Sequence, residues 1–233
     1  MKSEDKHQKV LENLYKEYYL AKVVDDETEF IWDGPSQWDK YEDKSKPSIV
    51  YLAKESHSSF HPSTPSKVDN TFSRNIARWT NIITSALDIN SKIKDPYSDE
   101  LQEAWDSIAI VEIKKTDTGQ TTSPKSIIKK FAKLGREFLK LQLEILDPHI
   151  IVCCATIESY DLIYNYSEEE KKENEKLIYN ESNIMAWNCN DVIVLDFCHP
   201  SKRGSHEKMF ESMKDFISNP LVQSEYFKIR KSK

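Results

Sequence analysis

Four short apolar runs punctuate an otherwise polar chain: "SIVYLAK" (48–54), "SIAIVEIKK" (107–115), "HIIVCCAT" (149–156) and "DVIVLDF" (191–197). Each is too short for a buried helix and is bounded by polar residues, so strands are predicted at 48–54, 107–114, 149–155 and 191–197. Helical periodicity fills the intervals. Residues 5–22 repeat Val10, Leu11, Leu14, Tyr18 and Leu20 near helical spacing, and "FSRNIARWTNIITSAL" places Ile76, Trp79, Ile82, Ile83 and Leu87 on one face. A short helix, "SDELQEAWDSI", hands over to the second strand. The longest helical pattern opens at Ser123-Pro124 and closes at Asp147-Pro148. A Tyr-rich helix, a weak strand near Ile184 to Trp187 and helices from about 205 to 230 complete the chain. Residues 24–47 and 55–70 read as loops, and "EEEKKENEK" (168–176) as a solvated helical face or a loop.

Strands that are apolar throughout are covered on both faces. The expectation is therefore an α/β fold of three layers, α/β/α, around a central four-stranded, mainly parallel sheet. One domain accounts for all 233 residues: an N-terminal helix and loop (1–47), a core (48–218) and a C-terminal tail (219–233). In this architecture ligands sit at the carboxyl ends of the strands. Those ends carry Lys54-Glu55-Ser56-His57, Glu112 to Lys115, Ala155-Thr156 and His199-Pro200-Ser201.

Charge and composition narrow the classes of function. The net charge of −6 supplies no global attraction for nucleic acid, but "KKFAKLGREFLK" and "SKRGSHEK" are locally basic. No apolar run approaches the roughly 18 to 20 residues of a membrane span, and the charged start "MKSEDKHQKV" has no signal-peptide core. A cytoplasmic, monomeric protein with no membrane partner is expected. The four cysteines, Cys153, Cys154, Cys189 and Cys198, form no C-x-x-C pair and read as reduced thiols; neither a metal nor another cofactor is expected. A G-x-S-x-G elbow, a P-loop and a G-x-G-x-x-G fingerprint are all missing, which argues against an α/β hydrolase and against triphosphate or dinucleotide sites.

"LDPHIIVCCA", "IVLDFCHPSKRGS" and "NTFSRNIARW", in the order and spacing of the four strand ends, resemble the uracil-DNA glycosylase superfamily from about Ser48 to Ser218. The resemblance implies a mainly parallel four-stranded sheet with helices on both faces and a metal-free hydrolase of the DNA-repair type. Such an enzyme cleaves the N-glycosidic bond of a base flipped out of single- or double-stranded DNA. Two motifs depart from the family. "LAKESHSS" stands where a Gly-led catalytic loop is usual, with Ala53 for Gly, Glu55 at the acidic position and Ser56 for Pro. Glu112 in "IVEIKK" stands where many members have Asn.

On this reading Glu55 and His199 are the catalytic candidates. Cleavage leaves a cationic sugar and an anionic base, so Glu55 would face the sugar and orient water while His199 donates to the departing base. Phe72, with Phe60 second, would stack on the flipped base, and Glu112 would meet its edge. Ser201, Lys202 and Arg203 would lie against backbone phosphates. An ionised Glu112 only accepts hydrogen bonds, which favours a base other than uracil. The structural alternatives are a solvated Glu55, a satisfied His199, a Glu112 paired on the surface with Lys114, a core Phe72, and Arg74, Arg78 and Trp79 engaged in packing. The alternative function is a nucleic-acid or nucleotide-binding protein on the same fold without catalysis.

Overall fold

The computed structural model describes residues 2–22, 30–55, 68–88, 101–116, 123–165, 175–181, 183–202 and 206–233. The elements run α1 (Ser3–Leu20), β1 (Gly34–Pro35), α2 (Trp38–Tyr41), β2 (Ile49–Glu55), α3 (Thr71–Leu87), α4 (Leu101–Asp106), β3 (Ile108–Lys114), α5 (Lys125–Leu134) and α6 (Arg136–Leu146). They continue with β4 (Ile150–Cys154), α7 (Ile157–Tyr164), β5 (Glu175–Glu181), β6 (Ile184–Cys189), β7 (Ile193–Phe197), α8 (His206–Ser218) and α9 (Pro220–Ser232).

The fold is α/β. Among the described residues the sheet has seven strands, in the order β1-β3-β2-β4-β7-β6-β5. This corrects the expectation of four. The four expected strands are the contiguous middle, β3-β2-β4-β7, and all three of their pairings are parallel. The additions are antiparallel: β1 against β3 at one edge, and the β5–β6 hairpin against β7 at the other. Within the middle, β2 comes first in sequence, β3 lies on one side of it, and β4 and β7 lie on the other. The winding direction therefore reverses between β2 and β4, where an α/β sheet leaves a crevice beyond its carboxyl ends.

Two cores flank the sheet because the strands alternate. Ile49, Tyr51 and Ala53 of β2 enter one core with α3, α8 and α9; Val50 and Leu52 enter the other with α1, α5, α6 and α7. The expected helical face of α3 is buried in full, with Trp79 at 0 % exposure. The C-terminal segment is no tail: Val222, Tyr226 and Ile229 of α9 are core residues. Its Glu225 takes Lys176 and Asn188 of the hairpin, each at 3.0 Å. Part of "EEEKKENEK" is likewise strand, since Glu175 and Lys176 open β5. The longest helical pattern divides at Gly135 into α5 and α6. A Cβ there would lie 3.0 Å from the Tyr18 hydroxyl and 3.2 Å from Leu14, so the break also seats α1.

The loop between α1 and β1 holds the least expected feature, a carboxylate with no exposure. Asp33 forms an ion pair with Lys115, whose side chain is also fully buried. It accepts the Glu112 N–H and, at 2.7 Å, the Gln142 amide. Gln142 also donates to Nε2 of His7 at 2.9 Å, which places the His7 proton on Nδ1. His149 is held as the opposite tautomer, its Nδ1 accepting the Ser48 N–H at 3.0 Å. Burial is the main cause that pushes both imidazoles down to about 4, with the Lys115 charge contributing at His7 and Lys233 at His149.

Two outcomes follow for stability. Gly34 has φ +131°, and a Cβ on it would lie 2.6 Å from Cε1 of His7. Gly34→Ala should lower unfolding free energy by about 2 to 4 kcal/mol in urea titration, from backbone strain plus displacement of His7. The histidines set a pH dependence. Unfolded imidazoles titrate near 6.5 and the folded ones near 4, so the unfolded chain binds protons first on acidification. Stability should be complete above pH 6.5 and decline as pH falls toward 4, by about 2 kcal/mol at pH 5 from His7 and by less from the more accessible His149. His7→Gln should flatten part of that slope in urea titrations at several pH values.

Candidate functional site

The chain leaves β7 through Cys198 and turns at once. His199, Pro200, Ser201 and Lys202 form a β-turn closed by Lys202 N–H to His199 C=O at 2.9 Å, with proline at the position that suits its fixed φ. Inside the turn the Ser201 N–H donates to Nδ1 of His199 at 3.1 Å. A ring nitrogen that accepts carries no proton, so the neutral imidazole keeps its proton on Nε2 as a donor. Ser201 spends its backbone N–H on the imidazole, so its exposed hydroxyl is what it has left to offer the phosphate expected there.

Helix α3 supports this turn. Asn70 caps it by accepting the Ser73 N–H at 2.9 Å. The first turn then presents Phe72, whose ring centroid lies 6.0 Å from that of His199. One turn on, buried Asn75 donates to the Pro200 carbonyl at 2.6 Å and approaches Nδ1 of His206 at 3.3 Å. Asn75 thus positions the His-Pro-Ser turn. It went unrecognised in the sequence because its partners lie 125 and 131 residues away. Arg78 stacks over Phe210 at 5.7 Å and Trp79 against Phe197, the packing roles expected of them.

Glu55 and Glu112 are both buried, at 8 % and 4 % exposure. Glu55 is no solvated loop carboxylate. It ends β2 opposite Lys114, accepts that ammonium at 3.4 Å, and takes the Ser123 N–H on its other oxygen. Lys114 in turn donates to the Thr116 carbonyl and sits 5.7 Å above the Phe131 ring. The surface pair of Glu112 with Lys114 is therefore corrected: both residues are buried and the ammonium serves Glu55. Glu112 stands beside Ala53, and its N–H goes to Asp33. Phe60 and Arg203 fall outside the described residues, as do Ser56 and His57.

A crevice of about 650 Å³ opens at the carboxyl ends of β2, β4 and β7. Lys54, Lys125, Lys129, Lys202 and Lys208 line it, against two carboxylates, Glu158 and Asp196. Among the described residues singled out from the resemblance, Lys202 alone lines this crevice; Phe72 and His199 adjoin each other. Its floor is the turn after β4. Ala155 there has φ +58°, a left-handed conformation uncommon outside glycine, held by its N–H to Phe197 C=O at 2.7 Å. Thr156 precedes α7 but does not cap it, because its hydroxyl goes to the Leu52 carbonyl at 2.7 Å. Asp196 has its carboxyl pushed up, first by burial and then by the Glu158 charge, with Lys125 opposing. A half-buried carboxylate among lysines in a cleft is a signature of a working site that the run "DVIVLDF" did not single out.

Among the described residues no group of three His, Cys, Asp or Glu could hold a metal ion, and no helix is long and apolar enough to cross a membrane. Cys153, Cys154 and Cys189 are buried free thiols and Cys198 is half-buried.

The Glu55 geometry attaches a stability cost to a change at this strand–loop boundary. Removing one partner of a buried pair leaves the other charge uncompensated. Glu55→Gln keeps an acceptor for the Ser123 N–H, so it should cost about 2 kcal/mol in urea denaturation, below the usual range for breaking such a pair. Glu55→Gln combined with Lys114→Met should recover part of that loss.

Neither a scan against protein-family models nor a search of curated proteins finds a match for this chain. What the site does has to be read from its own chemistry.

Proposed function

We propose that the protein acts on nucleic acid, admitting an unpaired base between Phe72 and His199 and hydrolysing its N-glycosidic bond. The observation that carries this reading is the His199 turn. An imidazole whose Nδ1 is fixed by the Ser201 N–H presents an Nε2–H donor, the group a departing anionic base requires, beside an aromatic ring placed to stack on it. Resemblance to the uracil-DNA glycosylase superfamily supports the same assignment. So does the contiguous parallel middle of the sheet, whose carboxyl ends carry the site. Exposed Lys202, next to the turn, is suited to a backbone phosphate. A Glu at position 112 accepts hydrogen bonds when ionised, which favours a base edge presenting N–H groups over the O4 of uracil.

A second reading, binding without turnover, is favoured by one observation. The Glu55 carboxylate is engaged by Lys114 and by the Ser123 N–H, leaving little of it to orient water.

The test is a panel of labelled single- and double-stranded oligonucleotides carrying uracil, hypoxanthine, xanthine or alkylated bases, incubated with protein and then treated with alkali. Cleavage of at least one is expected. His199→Ala should slow it by a factor on the order of 10² to 10³, the usual loss for one donor to a developing anion. Salt-sensitive binding that Phe72→Ala weakens, with no strand cleaved, would establish the second reading. Absence of both cleavage and binding would overturn the assignment to nucleic acid.

A further inference from the structure

The crevice between β2 and β4 holds chemistry that base recognition at Phe72 and His199 does not use. Neither of those residues lines it. Five lysines and two carboxylates leave it three net positive charges, in a chain whose net charge is −6. One lysine is largely neutralised, because Lys129 pairs with Glu158 at 2.7 Å. Lys54 and Lys125 reach the same space from β2 and α5, and Lys202 and Lys208 from the segment after β7. Convergence of cations from three separate segments on one concavity distinguishes this from a solvated lysine face, where charges spread outward.

The lysines set the class of ligand. They are compact point charges without the planar fork by which arginine grips carboxylate or phosphate, so they select an anion by its charge, and lysine is a recurrent phosphate binder in that role. A phosphomonoester carries about −1.5 to −2 charges near neutral pH, which answers the crevice better than a singly charged carboxylate or a phosphodiester. Size supplies the rest. At about 650 Å³ the crevice is far larger than one phosphate and within the range of small-molecule sites, roughly 300 to 1,000 Å³. Ile128, Ile157, Phe197 and Met209 give it apolar walls for an organic body. Thr156 leaves the first N–H groups of α7 without a side-chain cap, which adds backbone donors at the same end.

We propose that the crevice is a binding site for a phosphomonoester attached to a nucleoside-sized organic group. Lys54, Lys125 and Lys202 hold the phosphate, and the walls of α5, α7 and α8 hold the body. Two sources share this chemistry, a free nucleoside monophosphate and the phosphorylated 5′ end of a nucleic-acid strand. The assignment stands on the crevice and is independent of glycosidic cleavage, which concerns bases within a strand.

Calorimetric titration distinguishes the sources. The probes are a nucleoside 5′-monophosphate, the same nucleoside without phosphate, and one oligonucleotide with either a 5′-phosphate or a 5′-hydroxyl end. The expected result is binding at least tenfold tighter with the monoester than without it, in the mononucleotide pair, the oligonucleotide pair, or both. Affinity should fall as salt rises, and Lys54→Gln combined with Lys125→Gln should weaken it at least tenfold. Lys125 is exposed and Lys54 half-exposed, so the double variant should keep the wild-type circular dichroism and urea midpoint. Equal affinity with and without the monoester, wild-type affinity in the double variant, or no binding of any probe would overturn the site.

Discussion

The fold hangs on one buried charge. Asp33 has no exposure, and a carboxylate removed from water costs several kcal/mol unless its lone pairs are answered. Here they are answered from three directions: the Lys115 ammonium, the Glu112 N–H and the Gln142 amide. Those donors belong to the end of β3 and to α6, while Asp33 belongs to the segment between α1 and β1. Lys115 also donates to the Glu112 carbonyl at 2.8 Å, so the backbone after β3 is tied at both an N–H and a C=O. The arrangement fixes the N-terminal segment to the sheet and at the same time fixes the carboxyl end of β3. Glu112, Lys114 and, through Lys114, Glu55 inherit their positions from it.

That dependence explains the division of labour at the strand ends. Glu55 and Lys114 face each other across β2 and β3 and satisfy one another, so this side of the reversal point is an electrostatic clamp. On the other side, β4 and β7 end in a left-handed alanine, an uncapped helix start and a half-buried aspartate, and the cations there converge on open space. A carboxylate and an ammonium pair one to one where two strands meet inside the molecule, and lysines outnumber carboxylates where the sheet opens. The chain can be acidic overall and still present a basic crevice.

The sequence made the middle of the sheet legible and hid its margins for physical reasons. A central parallel strand is buried on both faces, so Ile49–Ala53 and Ile150–Cys154 read as continuous apolar runs whatever surrounds them. The hairpin strand Glu175–Glu181 is an edge. Among its described side chains only Ile178 and Tyr179 are buried, side by side at a register shift, so neither alternation nor an apolar run marks it. Gly135 interrupts a helix without interrupting its apolar period, so one long helix was expected where two stand. For the site, His199 was legible because its partners are local: proline follows it and Ser201, two residues on, fixes its ring. Glu55 was misjudged because its partners lie 59 and 68 residues away. Asp33 and Asn75 were missed for the same cause. A polar residue becomes structural through contacts that sequence spacing does not record.

The same contrast bears on how far a motif carries a function. His-Pro-Ser occurs twice in the chain, at 61–63 and at 199–201, so the tripeptide alone selects nothing. The second copy draws its reading from its setting. It follows a buried strand, its carbonyl at Pro200 is held by Asn75 of a neighbouring helix, and its imidazole is locked from within the turn and lies tilted against Phe72. Each of these restraints removes a degree of freedom from one hydrogen-bond donor. A donor that needs no reorganisation acts on a developing anion more strongly than a mobile one. The opposite holds for Glu55, where pairing with Lys114 restrains the carboxylate by consuming it. The donor is preorganised by its own turn and by Asn75, the carboxylate is neutralised by burial beside Lys114, and any turnover depends on which of them dominates when an unpaired base enters beside Phe72.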